Sequence, residues 1–399
     1  MKHNFDKLTN RRNSDAKKYD ERIFPADVLP MWIADMDFEC PKPIVDAVVK
    51  RAREAIYGYP YNSDRFEAAA CYWMQKRFSC QIKSEQIQSV PGTIPGIAFA
   101  LRAMTNEDDG ILIQTPCYPP FRQIISNNKR QIVENRLILE NGKYRIDFLD
   151  FEKKLSQGRI KAFLLCNPQN PTGRVFTKDE LFVMVKLCLK YRVFIISDEI
   201  HCDIVYTHNR HTPLCKVPNI DNSSFVMCIN PSKTFNIAGL RTAAIIDFSK
   251  EIHSKIEREI AANKAYGRTV FGALAFEVAY FKCEYYADQL IQYLYKNLQL
   301  VQESFSGDSP IQVIKPEGTF LVWLDCRRLC FSQQELESFF LKQAKVGLNS
   351  GISFGADGIG FMRMNIAVPK PILVHALCNI KNAIKSLKDK GVNDVSNNL

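Results

Sequence analysis

The sequence lacks several features that mark common classes of non-enzymatic protein. Its 399 residues include no run of about 18 apolar residues, the length needed to cross a bilayer, so no membrane partner is expected. The first residues lack the apolar segment of a secretory signal, and we expect a cytoplasmic protein. No repeat or low-complexity tract is visible, and aromatic residues at 11% argue against disorder. A chain of this length can bury a large core in two packed units.

The cysteines lack the spacing of a zinc site. There are 13 of them, and Cys326 and Cys330 are separated by three residues without a matching second pair. We therefore expect no metal site. Most of the cysteines are interpreted as reduced core residues of a cytoplasmic enzyme.

The positive charge is not gathered in one region. The net charge is +10, but basic pairs such as Arg11-Arg12 have acidic neighbours such as Asp15. A nucleic-acid-binding protein would concentrate its basic residues into a stripe or an arm. We therefore expect no nucleic-acid partner, and interpret the charge as a solvated surface with affinity for small anions.

Short apolar runs alternate with amphipathic helical stretches in the middle of the chain. These runs predict buried strands at Ile111–Gln114, Ala162–Cys166, Phe194–Ser197, Phe225–Ile229 and Ala243–Asp247. Between two of them, Thr177 and Glu180 predict a capping box that opens a helix. Strands separated by helices indicate an α/β fold with a mostly parallel sheet covered by helices. We expect this large domain to span 46–285.

The last third of the chain has a different pattern. An extended stretch at Gln312–Asp325 precedes a helix near Gln333–Lys345, and a final helix follows Pro371. This pattern indicates a smaller α+β domain. The first residues contain no complete α/β repeat, so we expect 1–45 and 286–399 to form this small domain together.

A lysine follows one of the predicted strands. Lys233, in Pro231-Ser232-Lys233-Thr234-Phe235-Asn236, comes directly after Phe225–Ile229, which is a poor position for a solvated surface charge. A lysine amine forms Schiff bases with carbonyl groups and becomes nucleophilic when it is desolvated. Arg241 and the Ser232 hydroxyl are candidates to bind a phosphate together. Taken alone, the lysine is equally compatible with a structural role.

An acidic residue follows another strand. Asp198 comes directly after Phe194–Ser197, and His201 lies three residues further on. A carboxylate opposite a pyridine nitrogen keeps that nitrogen protonated, so the ring can act as an electron sink in pyridoxal 5'-phosphate (PLP) chemistry. The alternative is an exposed Asp that caps the next helix.

A proline-rich turn follows a third strand. The segment Asn167-Pro168-Gln169-Asn170-Pro171-Thr172-Gly173 comes after Ala162–Cys166. Its two prolines and glycine fix a rigid turn that points the Asn170 side chain in one direction. An amide there can hydrogen-bond both a phenolic ring oxygen and a substrate carboxylate.

A glycine turn leads into a helical stretch at Ile97–Met104. Gly92, Thr93 and Ile94 form this turn, and backbone N–H groups at a helix start bind anions with help from the helix dipole. A single turn of this kind is also compatible with no binding role.

Two further residues complete the candidate site. Tyr118 follows the strand Ile111–Gln114, where its ring could stack on a planar cofactor. Arg363, in the small domain, could clamp an α-carboxylate in a bidentate manner. The alternatives are a core tyrosine and a surface salt bridge. Ligands of open α/β sheets bind outside the carboxyl ends of the strands, where the motifs of the large domain fall.

The order of these motifs resembles that of fold-type I PLP enzymes, the aspartate aminotransferase superfamily. The similarity covers nearly the whole chain. Within the superfamily the chain looks most like the cystathionine β-lyase or C–S lyase group of the MalY and PatB type. The resemblance to that group is carried by Met31-Trp32-Ile33-Ala34-Asp35-Met36-Asp37-Phe38, Ile200-His201 and Lys233-Thr-Phe-Asn-Ile-Ala-Gly. His201 stands where typical aminotransferases carry a tyrosine near the ring oxygen.

The resemblance implies a set of site residues. It assigns the PLP cofactor to Lys233, surrounded by Gly92, Thr93, Ile94, Tyr118, Asn170, Asp198, His201, Ser232 and Arg241. The substrate carboxylate is assigned to Arg363, Asn170 and the backbone near Ala34. Tyr59, in Tyr57-Gly58-Tyr59-Pro60, would reach the phosphate in the neighbouring subunit, which implies a homodimer with shared active sites. Two positions depart from the aminotransferases: Asn230 replaces a phosphate-binding serine of many relatives, and Arg241 is not uniform in the lyase group.

The implied activity is β-elimination on amino acids such as L-cystathionine or L-cysteine, giving pyruvate, ammonia and a thiol. A class I/II aminotransferase is the alternative, because both reactions use the same lysine and aspartate. A protein that mainly contacts a regulator is a minor alternative. A dinucleotide oxidoreductase is disfavoured by the lack of a well-placed glycine fingerprint. A nucleic-acid regulator is disfavoured because no helix-turn-helix domain precedes Met31-Trp32.

Overall fold

The computed structural model describes residues 1–12, 14–60, 63–265 and 268–396, with side chains to residue 387. It divides the chain into two compact units. The large unit contains Met1–His3, Cys40–Ile291 and Glu317–Thr319, and the small unit contains Asn4–Glu39, Gln292–Pro316 and the residues from Phe320 onward. The small unit therefore includes most of the first 45 residues, and residues 317–319 return to the large unit.

The described residues form strands and helices with the following bounds. The strands are β1 (Leu29–Pro30), β2 (Ile87–Val90), β3 (Gly110–Thr115), β4 (Gln131–Glu140), β5 (Lys143–Ile146), β6 (Ile160–Cys166), β7 (Phe194–Asp198), β8 (Phe225–Ile229), β9 (Ala243–Asp247), β10 (Gln312–Ile314), β11 (Leu321–Asp325), β12 (Val346–Gly347), β13 (Asn349–Ser350) and β14 (Phe361–Asn365). The helices are α1 (Lys42–Arg53), α2 (Arg65–Phe78), α3 (Thr93–Met104), α4 (Pro119–Asn127), α5 (Phe148–Leu155), α6 (Lys178–Lys190), α7 (Ser232–Phe235), α8 (Lys250–Ala262), α9 (Val270–Lys282), α10 (Glu284–Ser304), α11 (Gln333–Ser338) and α12 (Lys370–Ser396). Across these described stretches, no helix is long and apolar enough to cross a membrane.

The large unit is built on a sheet with the strand order β2-β9-β8-β7-β6-β3-β4-β5. The neighbours from β8 to β4 pair in parallel, whereas β9 runs antiparallel to β8 and β2, and β5 runs antiparallel to β4. Strands β3, β7, β8 and β9 are buried along their whole length, because helices cover the sheet. The predicted fold class, an α/β fold with a mostly parallel sheet, is confirmed.

Helices α3, α4 and α8 bury an apolar core against one face of this sheet. Ile97 of α3, Ile196 of β7 and Ile256 of α8 are among the fully buried members of this core. A Cβ atom at Gly96 would lie 3.0 Å from Val90 and 3.3 Å from Ile245, so the glycine allows α3 to approach the sheet closely. The start of α3 is thereby fixed at the edge of the sheet where the candidate site lies.

Helix α6 begins at the predicted capping box. The Thr177 Oγ1 atom accepts the Glu180 N–H at 3.1 Å, and the Glu180 carboxylate accepts the Thr177 N–H at 2.8 Å. The buried Arg174 guanidinium also donates to the Glu180 carboxylate. The box thus satisfies two backbone donors at the helix start, as its sequence predicted.

The small unit contains an antiparallel sheet in the order β10-β11-β14-β13 and a short parallel pair, β1 with β12. Trp323 of β11 stacks on Phe361 of β14, with ring centroids 5.3 Å apart. The extended stretch predicted at Gln312–Asp325 is interrupted between β10 and β11. The helix predicted near Gln333–Lys345 is α11, followed by a π-helical turn at Phe339–Gln343.

The interruption spans residues 315–320, and three of them, Glu317–Thr319, form a segment that we call the strap. The Gly173 carbonyl accepts the N–H groups of Glu317 and Gly318 at 2.8 and 3.0 Å. The Ile204 carbonyl accepts the Thr319 N–H at 2.7 Å. A Cβ atom at Gly318 would lie 2.7 Å from the Ile204 oxygen, so only glycine fits at this position without displacement. The strap therefore completes the backbone hydrogen bonding of the large unit.

Candidate active site

Lys233 lies on a one-turn helix, α7, that directly follows β8. The Asn230 side chain fixes the entry to this turn, because its Oδ1 accepts the Ser232 N–H at 2.8 Å. The Nδ2 of the same residue donates to the Thr93 hydroxyl at 3.2 Å, which ties the lysine segment to the start of α3. Asn236 ends the turn in the left-handed conformation, with φ at 56°. These contacts place Lys233, Ser232 and Thr93, three predicted site residues, in one neighbourhood.

Asp198 is the last residue of β7 and is buried. It pairs in register with Cys166 of β6 on one side and Cys228 of β8 on the other, and its Oδ1 accepts the Ile200 N–H at 3.1 Å. Burial raises the pKa of Asp198 to about 7, whereas the positive charge of Lys233 acts to lower it. A carboxylate in such surroundings is strongly stabilised in its charged form by a cationic partner.

The loop after β7 is held down by Glu199. This buried carboxylate accepts the Ser197 hydroxyl at 2.9 Å and the Leu214 N–H at 3.0 Å, and it lies 2.8 Å from His211 Nε2. The loop also carries the predicted site residue His201, which is buried. Sequence reasoning did not identify Glu199 as the anchor, because its partners lie up to fifteen positions away.

Asp203 is a second anchor that sequence reasoning missed. Its carboxylate accepts Trp73 Nε1 at 2.9 Å and the Thr234 hydroxyl at 2.8 Å. Burial raises the pKa of Asp203. Since Thr234 follows Lys233 directly, this contact holds the lysine turn from the side of α2.

The proline-rich turn after β6 joins two of the predicted loops. The Asn167 N–H donates to the Asp198 carbonyl at 3.0 Å, and the Gln169 side-chain amide donates to the Pro116 carbonyl at 2.6 Å. Asn170 is buried in this turn, and Tyr118 lies half-buried at the start of α4. Both therefore lie on linked loops at the carboxyl ends of the neighbouring strands β6 and β3, as predicted.

Gly92 precedes the first turn of α3 in a conformation that side chains disfavour, with φ at 149°. Thr93 and Ile94 are the first residues of the helix. The N–H groups of a helix's first turn have no partner within the helix and attract anions. The geometry at this end of α3 thus suits a phosphate.

In the small unit, Arg363 and the segment around Ala34 lie together. The Arg363 guanidinium donates to the Trp32 carbonyl at 3.0 Å and to Asn349 Oδ1 at 2.6 Å. The Asn365 amide, two residues further along β14, donates to the carbonyls on either side of Ala34, at 2.7 and 2.6 Å. Both asparagines are positioning residues that sequence reasoning missed.

Two predicted residues lie on the surface of the single chain. Arg241 is exposed and ends the short helical turn Ala238–Leu240 in the left-handed conformation, with φ at 52°. Tyr59 is fully exposed, and its assigned role lies in a neighbouring subunit.

The fold places a lysine and an aspartate at the ends of adjacent parallel strands. This arrangement defines a known class of proteins. The model of class I and II aminotransferases matches residues 26–380, and the chain belongs to this family. The family resemblance stated from the sequence is thereby confirmed.

Within this family, the chain is similar to several individual proteins. The chain is 37% identical to cystathionine beta-lyase PatB of Bacillus subtilis (strain 168), over 96% of this chain and 100% of the relative. It is 30% identical to protein MalY of Escherichia coli (strain K12), over 96% and 99% of the two chains. The structure of cystalysin from Treponema denticola, which contains PLP, matches with a TM-score of 0.94 at 32% identity, covering 97% and 100% of the two chains.

Proposed function

We propose that this protein is a PLP-dependent C–S β-lyase that acts on amino acids such as L-cystathionine or L-cysteine and releases pyruvate, ammonia and a thiol. The observation that carries the proposal is the placement of Lys233 and Asp198 at the ends of adjacent strands, with the start of α3 tied to the lysine turn. Similarity to enzymes named cystathionine β-lyase supports the substrate class.

The residues of the large unit fit the cofactor. The buried Asp198 matches a protonated pyridine nitrogen, and the first turn of α3 with Gly92 matches a phosphate dianion. The half-buried Lys233 amine matches the aldehyde. When bound, PLP supplies an electron sink for negative charge that develops at the substrate Cα.

The Lys233 amine has two successive tasks. It would hold the cofactor through its aldehyde, and Nζ, once free, would be placed to remove the substrate Cα proton as a general base. The residues on either side of Lys233 are held in place, because Asn230 accepts the Ser232 N–H and Asp203 accepts the Thr234 hydroxyl. The negative charge of Asp198 would keep a proton on the ring nitrogen of the bound cofactor.

The remaining residues orient the reactants. The rigid turn around Asn170 and the ring of Tyr118 are assigned to the cofactor ring, and His201 is assigned to the region of its ring oxygen. Arg363 and the backbone at Ala34 are assigned to the substrate carboxylate, where a fixed guanidinium favours one orientation of the Cα–H bond.

We further infer a homodimer in the cytoplasm. Ile56, Tyr57 and Tyr59 expose 76%, 57% and 104% of their surfaces, and such neighbouring apolar side chains favour contact with another protein surface. Among the described residues no cysteine is joined in a disulfide bond, which is typical of a reducing compartment.

The proposal is tested with purified, PLP-loaded protein and L-cystathionine. Pyruvate and ammonia release is expected from the wild type and from Lys161→Ala, a variant of an exposed lysine, but not from Lys233→Ala. Transfer of the amino group to a 2-oxo acid without pyruvate release would instead establish an aminotransferase, the second candidate that the family match favours. Failure of the wild type to bind PLP would refute both candidates.

A further inference from the structure

Two cysteines distant in sequence have their sulfur atoms in close contact. Cys80 and Cys215 are separated by 135 positions, and their Sγ atoms lie 2.8 Å apart. Both are free thiols. A disulfide bond has an S–S length of about 2.05 Å, so only a small movement separates this pair from a covalent bond.

The backbone on both sides of the pair is fixed. Cys80 follows Ser79, which ends α2 in the left-handed conformation, and the Cys80 N–H donates to the Met74 carbonyl at 3.1 Å. Cys215 lies in the short helical turn Leu214–Lys216. The Lys216 amine donates to the Ser79 carbonyl at 3.0 Å, which joins the two segments.

The two thiols differ in access and acidity. Cys80 is buried, with 4% of its surface exposed, whereas Cys215 is partly open to solvent. The hydrogen bond between the thiols lowers the pKa of Cys80, with the Lys216 charge acting in the same direction, and raises the pKa of Cys215. Cys80 is thus suited to be the thiolate of the pair and to accept the proton of the more accessible Cys215 thiol, 2.8 Å away, when Cys215 meets an oxidant.

A basic cavity opens beside the pair. Its volume is about 480 Å³, and Ser79 and Lys216, chain neighbours of the two cysteines, line it together with Lys178 and Arg210. Arg77 also lines the cavity, but its guanidinium is paired with Asp288. One carboxylate also lines the cavity, that of Asp203. It is buried and already accepts hydrogen bonds from Trp73 and Thr234. The excess of positive charge attracts small anions.

We propose that Cys80 and Cys215 form a reversible dithiol–disulfide pair that exchanges with small anionic disulfides entering through this cavity. The Cys215 thiol passes its proton to the Cys80 thiolate across their 2.8 Å contact. The Cys215 sulfur then attacks one sulfur of the small disulfide, breaks its S–S bond and releases one thiolate, which takes the proton from Cys80. Cys80, again a thiolate, attacks the Cys215 sulfur, forms the intramolecular bond and expels the second thiolate, which is protonated by solvent. In the net reaction the protein pair is oxidised to a disulfide and the small disulfide is reduced to two thiols, and excess thiol reverses the reaction. This proposal does not depend on the substrate of the lyase reaction.

The test treats the PLP-loaded wild type with oxidised glutathione, followed by alkylation, digestion and mass spectrometry. We expect a linked Cys80–Cys215 peptide pair, a protein mass lower by two hydrogen atoms, and full reversal by excess reduced glutathione. The exposed Cys330 and Cys378 report in the same sample whether the reagent has reacted. Glutathione on these two residues while Cys80 and Cys215 remain alkylatable thiols would overturn the proposal.

Variants test the order of attack. Cys80→Ser is expected to trap glutathione on Cys215, whereas Cys215→Ser should leave Cys80 unmodified, and the control Cys71→Ser should retain the link. Trapping on Cys80 in Cys215→Ser would contradict the assigned order. If either variant does not fold, the wild-type peptide map still decides whether the bond forms.

A charge-reversal variant tests the route through the cavity. Lys178→Glu combined with Arg210→Glu should slow oxidation by glutathione several-fold and leave the rate with neutral bis(2-hydroxyethyl) disulfide unchanged. Equal rates of the variant and the wild type with oxidised glutathione would refute entry through the basic cavity.

Discussion

Single residues carry the electrostatics of the proposed reaction, and Asp198 contributes most. Replacing it by asparagine leaves the shape of the site but removes the negative charge that keeps the ring nitrogen protonated. We expect Asp198→Asn to bind PLP and to lose at least about 100-fold in kcat for pyruvate release, the size of effect typical of a lost preorganised electrostatic contact. Steady-state kinetics measure this loss, and Asp221→Asn, a substitution in an exposed turn, serves as the control. Full activity in Asp198→Asn would contradict the assigned role.

The same carboxylate makes the stability of the cofactor-free protein depend on pH. Burial raises the pKa of Asp198 to about 7, well above its value of about 3.9 in an unfolded chain. Between these two values the folded state holds a proton that the unfolded state releases, so this group's contribution to stability falls as pH rises toward 7. We expect the melting temperature of Asp198→Asn relative to wild type to rise from pH 4 to pH 7 and then level off. A difference independent of pH would contradict this account.

Gly318 is a residue for which a single methyl group is too large. A Cβ atom there would lie 2.7 Å from the Ile204 carbonyl oxygen and 2.9 Å from a Val175 methyl group. We expect Gly318→Ala to lose about 1–3 kcal/mol of stability, as overpacked positions do. Thermal or urea denaturation measures the loss. Gly239→Ala, where the added carbon meets open space, should change stability far less, and equal losses in both would count against the strap as a tight contact.

At the scale of secondary-structure elements, the first turn of α3 is the proposed phosphate site. Gly92 holds the entry to this turn at a φ of 149°, which an alanine adopts only with strain. We expect Gly92→Ala to raise the Kd for PLP about 10-fold or more, measured by titration of the stripped protein. Gly142→Ala, in the turn between β4 and β5, also places an alanine at positive φ, here 74°, and should leave the affinity for PLP unchanged.

The strands that could be predicted are those with continuous apolar sequence. Phe225–Ile229 and Ala243–Asp247 were found with the predicted bounds, because burial on both faces leaves no room for polar alternation. The reversed direction of β9 could not be predicted, since strand direction depends on tertiary connections that a local pattern does not encode. Strand β2 was missed because Ile87–Val90 contains Gln88 and Ser89 and is only four residues long.

The residues of the candidate site also fall into two groups, those whose placement could be predicted from the sequence and those whose placement could not. The placement of Lys233, Asp198 and Asn170 could be predicted because each follows a recognisable strand, and the carboxyl ends of parallel strands meet at one edge of a sheet. The anchors Asp203 and Asn365 could not, because they act on segments far away in sequence. Asp203 accepts from Trp73, 130 positions earlier, and Asn365 holds Ile33, 332 positions earlier.

For the whole molecule, the assignment of Tyr59 to a neighbouring subunit predicts complementation. Lys233→Ala and Tyr59→Ala should each be impaired as a homodimer, the second through weaker phosphate binding. A mixed dimer contains one site with both native residues, so mixing the two variants after dissociation and reassembly should restore activity above the sum of the separate samples. Sedimentation measures the dimer and pyruvate release measures the recovery. Additive activities in a verified mixed dimer would contradict a shared site.

The strap affects the order in which parts of the chain can fold during translation. The carbonyls of Gly173 and Ile204 accept backbone N–H groups from Glu317–Thr319, which are translated more than 100 residues later. A nascent chain that has reached Ile291 contains nearly all of the large unit's sequence but not this last hydrogen-bonded segment. Domains usually fold one after another as they leave the ribosome. Here the large unit becomes complete only after residues 317–319 have been translated. A fragment that ends at Ile291 would therefore lack the donors for the Gly173 and Ile204 carbonyls.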